Sequence, residues 1–564
     1  MLHHINFKQK LIVMLAVMSG LFLVALDQTI MSTALSRIVE EFNSFSSLSW
    51  IVTAYMLTST ISVPIAGKLS DVFGRRIMLM IGVGIFTIAS FFSGSAQSID
   101  QLIWFRALQG IGGGIVMSNA FTIVGDLFSP KERGKWQGVI GGVFSLASVV
   151  GPVLGGFLTD GHSFLGLTTD WRWTLWINVP IGLVSLALIA IYCPTIKHDK
   201  KPRIDYAGAG FIGLALASLV LAVENTEQIF GSVIAATGID AGGIKAILWG
   251  ITLLATAGFI LVERRAAEPI LPLSFFKKRN FTTMIIVALL SGAAFLGAIL
   301  FLTQFNQQVF GAGATAAGLM LLPLIGALTI GSIFSGIVVS KTGKYKSLLI
   351  IGLLVSSLSL LGLTMLTPTS QYSQEAILMA IAGLGIGLTF PVINLVIQNE
   401  FEQKDLGAAT ASSQLFRSLG STLGAAVLGA MLTSGVTSQL GEVKNDAYIQ
   451  TLKQQPQVAQ LVQNADASTL LTLNMSETRQ KITYGFEKVI IATPIPDAQK
   501  AAARIQFTAQ QTAFGNKVTA AFADSLRVVF VTAAALMGAS IFIALFVVQK
   551  PFRHTSDAPG VITE

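Results

Sequence analysis

Gly67-Lys68-Leu69-Ser70-Asp71-Val72-Phe73-Gly74-Arg75-Arg76 is a short charged break between two apolar runs. The flanking runs, roughly 48–67 and 77–96, are each long enough for a helix to cross a bilayer, which takes about 20 mostly apolar residues. Gly67 and Gly74 allow a tight turn against neighbouring helix ends. Asp71 is placed to cap a helix N-terminus or to pair with Arg75 or Arg76. Such a clasp holds one conformation and has to open in another.

The same alternation of apolar run and polar break continues along all 564 residues, which are 52% hydrophobic and only 12% charged, with a mean hydropathy of +0.70. A soluble domain carries about 25% charged residues. A 20-residue window finds fourteen spans, the first at roughly 11–34 and the last at roughly 525–548. They are predicted as helices, because lipid cannot satisfy open backbone groups and the runs are too long for barrel strands. The fold class is therefore an all-α polytopic membrane protein.

Lys and Arg collect in alternate short loops: Lys8 and Lys10, Lys68 with Arg75 and Arg76, Lys131 to Lys135, Lys197 to Arg203, Arg264 to Arg279, and Lys341 to Lys346. The opposite short loops hold little beyond Arg37, Arg172 and Lys245. This asymmetry predicts that both termini are cytoplasmic. The polar, Gln-rich segment 434–524 is then extracellular. Phe507, Phe514, Val518, Phe522 and Leu526 recur near helical spacing, so an outer helix is expected to run into the last span. The segment reads as a packed cap or as an entry element suited to an envelope partner. Asn474-Met475-Ser476 has the form of a glycosylation sequon and is read as chance.

Other classes are excluded by what the sequence holds. Cys193 is the one cysteine and the five His show no ligand spacing, which leaves no intramolecular disulfide and no Cys-based metal cluster. There is no nucleotide-binding loop and no nucleophile–base constellation, so the chain is not read as an enzyme. The net charge of +8 lies along a membrane and is not a nucleic-acid footprint. The first apolar segment reads as a span, not a cleaved signal. Short loops and the lack of an organellar signal point to a bacterial cytoplasmic membrane.

An internal repeat organises the spans. Gly67 and Gly74 recur as Gly336 and Gly343, 269 residues later, with Lys344 for the base and Ser340 where Asp71 stands. The same offset carries Gly151 and Gly155 onto Gly420 and Gly424, and a shift of 273 carries Gly110, Gly112 and Gly114 onto Gly383, Gly385 and Gly387. The displacement is eight spans, so two spans are inserted between two six-span halves. The domains read as 1–204, an inserted pair at 205–264, and 265–564 including the long loop. Parallel halves with a site at their midplane interface are a transporter architecture.

Asp27 lies inside the first apolar run, where an ionisable residue is a functional-site hypothesis by default. Arg106, near the outer end of the fourth span, reaches a similar depth, and Gln109 shares its face. Burial favours the neutral acid and a neighbouring cation favours the carboxylate, so Asp27 with Arg106 suits reversible protonation. Pro152, among Gly151, Gly155 and Gly156, is expected to bend the fifth span. Arg417 lies near mid-depth in the thirteenth span with no acid nearby in that span. Glu224 and Glu263 read as interfacial, and Trp171 and Trp173 as an aromatic belt. Tyr55, Trp176 and Phe390 can receive cations on their rings.

The decapeptide 67–76 resembles the loop motif of the major facilitator superfamily. Arg106-Ala107-Leu108-Gln109-Gly110-Ile111-Gly112-Gly113-Gly114 is similar to its fourth-helix motif. Ala147 through Gly151-Pro152-Val153-Leu154-Gly155-Gly156 is similar to its antiporter motif, with Ala147 where the pattern has Gly. Leu26-Asp27-Gln28-Thr29-Ile30 and the stretch Trp171 to Pro180 resemble signatures of the fourteen-helix drug:proton antiporter branch, with Ser36 replacing a usual Pro. The resemblance implies two six-helix bundles plus two inserted helices. It implies proton-coupled efflux of lipophilic, often cationic, drugs or antiseptics by alternating access, with no cofactor beyond the proton gradient. The alternative is a dedicated proton-coupled exporter or flippase for an endogenous lipid, siderophore or metabolite. Coupling is expected at Asp27 and Arg106, a substrate cavity along Gln28, Tyr55, Gln109, Asn178, Phe390 and Arg417, and conformational change at the 67–76 and 151–156 motifs.

Overall fold

A computed structural model describes residues 6–42, 48–159, 163–164, 167–194, 204–223, 226–440, 446–453, 462 and 467–552. Glu224, Lys197, Lys200, Lys201 and Arg203 lie outside the described residues. Among the described residues fourteen helices are long and apolar enough to cross a membrane. They are α1 (Phe7–Phe42), α2 (Leu48–Phe73), α3 (Arg75–Gly94), α4 (Ile99–Leu127) and α5 (Pro130–Thr159). Then come α6 (Trp173–Trp176 and Asn178–Tyr192, joined through the helical Ile177), α7 (Tyr206–Val223) and α8 (Ala241–Glu263). The second half holds α9 (Arg279–Gln308), α10 (Leu322–Thr342), α11 (Tyr345–Leu363), α12 (Tyr372–Glu400), α13 (Leu406–Leu440) and α14 (Asp497–Ala544). Among the described residues the one strand pairing is two residues long, Ser163–Phe164 against Leu167–Thr168.

Helix ends follow local chemistry. Gly74, with φ 91°, makes the break between α2 and α3, and Gly343, with φ 68°, ends α10 in the left-handed region that glycine adopts freely. Ser98 caps α4 by accepting a hydrogen bond from the Gln101 amide, and Asp240 caps α8 from the Gly243 amide.

The repeat seen in the glycines returns in the packing. In the first half α1 packs on α5 and α6, α2 on α4, and α3 on α4 and α6. In the second half α9 packs on α13 and α14, α10 on α12, and α11 on α12 and α14. Each pair is displaced by eight helices. Helices α7 and α8 pack on one another, and α7 lies against α2 and α13.

The face from which the Lys- and Arg-rich loops emerge is called the basic face here. On the opposite face α14 extends as one continuous helix from a cap built of Ala447–Lys453, Ala467–Asn474 and Ser476–Ala492. Phe507 of α14 stacks on Phe486 at 4.0 Å, and Phe514 packs on Tyr448. Gln308, at the end of α9, ties the cap down by donating to the Leu471 carbonyl and accepting from Asn474. Asn474 is 2% exposed. The sequon residue is thus a buried structural amide.

One surface reading changes. Trp171 is buried, not part of an aromatic belt, and donates to Glu41 at 2.6 Å. Arg172 adds two more hydrogen bonds to the same carboxylate, tying α1 to α6 and holding the Glu41 carboxyl below its ordinary range. Glu263, at the end of α8, is buried and accepts from the Leu271 amide as the chain turns after that helix.

Candidate functional site

Helix α4 is the wedge that assembles the central site. A side chain on Gly110 would lie 2.3 Å from the Tyr55 carbonyl oxygen of α2, and one on Gly112 would lie 2.6 Å from the Gly82 carbonyl oxygen of α3. Only glycine permits backbones this close. The wedge carries Arg106 and Gln109, one helical turn apart, onto α1.

There Asp27 is completely buried and accepts three hydrogen bonds. Arg106 Nη1 donates to Oδ2 at 2.6 Å, and Gln109 Nε2 and Asn178 Nδ2 each donate to Oδ1 at 2.9 Å. Arg106 also donates to Gln109 Oε1 at 2.9 Å, and its guanidinium lies 4.5 Å above the Tyr55 ring. Ser90 of α3 accepts from both Gln109 and Asn178 and donates to the Leu175 carbonyl. Asn178 reaches Asp27 because α6 packs on α1 with this residue on the facing side. One buried acid is therefore held by α1, α4 and α6, with α3 behind it.

Two residues along α1, Thr29 donates to the Ala147 carbonyl of α5 at 3.0 Å. A side chain on Gly151 would meet Thr29 Oγ1 at 2.0 Å. The acid-bearing helix thus touches α5 one turn before Pro152, where one backbone N–H is missing from the ladder. Gly155 is buried and Gly156 partly so.

A second cluster joins the halves at the basic face. Asp71 accepts from the Gly407 and Ala408 amides at 3.0 and 2.9 Å, capping α13. Arg75 pairs with Asp71, donates to Ser70 and bonds Asp126 of α4 at 2.8 Å. Asp71 thus both caps and pairs, whereas Arg76 turns away to the Ala190 carbonyl. Gly67 faces Ala411 and the Gly407 carbonyl. The related seam between α5 and α10 is built on close backbones: Gly336 against the Gly134 carbonyl, and Gly138 against the Ser332 carbonyl.

Arg417 of α13 is partly exposed between the halves, unlike Arg106. It donates to Gln414, and its guanidinium lies 5.2 Å from the Phe390 ring and 5.7 Å from the Phe121 ring.

The structure thus gathers Asp27, Arg106, Gln109, Asn178 and Tyr55 into one buried layer, and Phe390 with Arg417 into another place. Gln109, Asn178 and Tyr55 were expected along a cavity, yet all three are buried around Asp27. Gln28 next to Asp27 is exposed. The rings of Tyr55 and Phe390, expected to receive a cation, face the protein's own Arg106 and Arg417. Sequence reading missed Ser90, whose small hydroxyl gives no signal in an apolar helix. It also missed Glu375, fully buried at the start of α12, which the Asn306 amide meets at 2.7 and 3.1 Å. A carboxylate in the first turn of an apolar run was the available sign.

A sequence model described as Major Facilitator Superfamily matches residues 17–425. The chain is 39% identical over 415 residues to Multidrug transporter protein MdtP of Bacillus subtilis, covering 74% of each chain. It is 36% identical over 437 residues to Multidrug resistance protein 3 of the same organism, covering 77% of this chain and 81% of that relative. Among solved structures, the proton:xylose symporter XylE superposes with a TM-score of 0.55 at 16% identity, over 76% of this chain and 90% of that one.

Proposed function

The chain belongs to the major facilitator superfamily, and on that premise we propose that it exports lipophilic small molecules, drugs or antiseptics among them, across the cytoplasmic membrane in exchange for protons. The observation that carries this reading is Asp27: a fully buried carboxylate in a span, held by three donors from two other helices.

Protonating Asp27 removes the charge that Arg106 faces and one of the acceptors that Gln109 and Asn178 use. The α1–α4–α6 layer then loses its strongest, charge-assisted bonds. Helix α1 transmits this to α5 through Thr29, beside the softened ladder at Pro152. In the arrangement described, Asp71 and Arg75 close the cytoplasmic seam. The other state has that clasp open and the external side shut. Exchange needs only that proton and substrate prefer different states. Both termini are cytoplasmic in this reading, and the 434–524 segment is external, where it is available to an envelope partner.

The test is Asp27→Asn in everted vesicles. Gradient-driven accumulation of a lipophilic fluorophore is expected to fall to the level of protein-free vesicles, while the variant still inserts and keeps its helical content. Undiminished proton-driven accumulation by that variant would sink the assignment.

A further inference from the structure

Arg417 is a charge that the exchange at Asp27 does not use. It lies eleven residues into α13, about 16 Å from its cytoplasmic end at 1.5 Å per residue. The other deep cation, Arg106, is answered by Asp27, and at the basic face Arg75 is answered by Asp71 and Asp126. Among the described residues Arg417 has no carboxylate partner. Its one hydrogen-bond acceptor is Gln414 Oε1, and its other N–H groups bond to no described residue. A lone cation at this depth is costly unless something pairs with it.

Its surroundings have the form of a receptor. Phe390 comes from the second half and Phe121 from the first, so the guanidinium sits at the junction of the two. The helix is fixed behind it, because a side chain on Gly292 of α9 would lie 2.4 Å from the Arg417 carbonyl oxygen. Arg417 as a residue is partly exposed, and so is Phe390. Gln28, farther out on α1, is exposed too. Amide and guanidinium groups at these depths face the bundle interior, since hydrocarbon would leave them unsatisfied. Gln414 is 4% exposed and its amide nitrogen donates to no described residue, which adds a second donor beside the cation.

We propose that Arg417, Gln414, Phe390 and Phe121 form a binding subsite for the anionic end of a planar aromatic substrate, a carboxylate carried on or beside a ring. The proposal rests on the efflux reading for the direction of transport, but not for the site itself. Arginine meets a carboxylate with two parallel N–H groups, and such charge-assisted bonds are about twice as strong as neutral ones. Phe390, which is partly exposed, supplies a face for the ring that the carboxylate is attached to, and Phe121 is buried beside the guanidinium. Bound there, the anion supplies the charge that the protein withholds from Arg417. A permanent cation finds no carboxylate beside Arg417, and Asp27 is buried and already paired with Arg106.

The experiment uses the full-length protein and three naphthalene probes that differ only in carrying a carboxylate, a carboxamide or a quaternary ammonium group. Binding is read by fluorescence on purified protein, and export in everted vesicles with a proton gradient. The wild type is expected to bind the carboxylate on the order of tenfold more tightly than the carboxamide, as hydrogen bonds to a charged group imply. Arg417→Gln should abolish that preference by raising KM for the carboxylate, with export of the other two probes within about twofold. Arg417→Lys, which keeps the charge but not the fork, should fall between. Equal loss of all three probes in Arg417→Gln, or no carboxylate preference in the wild type, overturns the subsite. The wild-type comparison stands even if a variant fails to fold. Carboxylate binding that depends on Arg417, without gradient-driven export of any probe, sustains the site and overturns the efflux reading instead.

Discussion

Two seams close the basic face, and the repeat relates them: α2 against α13, and α10 against α5. The first is charged. Asp71 reaches across the halves to the free amides of Gly407 and Ala408, and Arg75 ties it back to Asp126. The second is built on backbone contact at Gly134, Gly138 and Gly336, and its loop has Ser340 in place of Asp71. The difference lies less in the loops than in the helices they meet. Helix α13 starts at Leu406, so residues 407 and 408 still carry unsatisfied N–H groups. The corresponding residues of α5, 138 and 139, lie well inside a helix that starts at Pro130, where the ladder already uses them. Arg133 there folds back onto the Gly125 and Phe128 carbonyls of its own half. One seam is thus a clasp that a charge holds, and the other a smooth bearing that shape holds.

Substitutions that break or sharpen this contrast are read by thiol labelling of Ala411→Cys in the first seam and Ser332→Cys in the second, both buried positions. Cys193 gives little background, being 2% exposed, with burial pushing its thiol up to about 12. The largest effect is expected from Gly336→Leu. The new side chain meets the Gly134 carbonyl oxygen at 2.2 Å, and backbone cannot yield as a side chain does. Overpacking of this kind costs about 1–3 kcal/mol. Both reporters should become reactive and export should fall nearly to background; retained export would mean the second seam is not closely packed during the cycle.

Asp71→Asn comes next. It keeps the shape and removes the charge from the α13 N-terminus, worth up to about 2 kcal/mol in a partly buried setting. Labelling of Ala411→Cys should rise about tenfold, with a smaller rise at Ser332→Cys. Equal rises at both sites would show that the seams open as one and that the charge is not local to the first. The smallest effect belongs to Ser340→Asp. With no free amide to meet, the new carboxylate should leave Ser332→Cys labelling unchanged or slightly faster. Protection as strong as Asp71 gives to Ala411→Cys would break the comparison.

Much of this was legible in the sequence, and for a physical reason. An acid inside an apolar run cannot hide, so Asp27 and its partner Arg106 were readable from depth alone. The span count and the eight-span repeat were readable because hydropathy and glycine spacing are carried by many residues at once. What remained illegible depended on contact between distant segments. Asn178 reads as one more polar residue near a span end until the packing of α6 on α1 brings it onto Asp27. Ser90 is invisible without the two amides that converge on it. Trp171 matches a belt residue in type and depth, yet Glu41, 130 positions earlier, buries it. The seam asymmetry could not be read from the loops, because it depends on where α5 and α13 begin.

Helix α14 has a mechanical consequence. Its 48 residues make a rod about 72 Å long, and a bilayer core takes up about 30 Å of it. Roughly 40 Å therefore stands beyond the core with the cap helices fastened to it. Inside the bundle the same rod is packed against α9, α11 and α13. A tilt of about 10° in its buried part would swing the far tip by roughly 7 Å, a displacement set by lever length alone. A rearrangement too small to see at mid-depth is thereby amplified at the far surface, where any molecule resting on the cap would be pushed by each turnover.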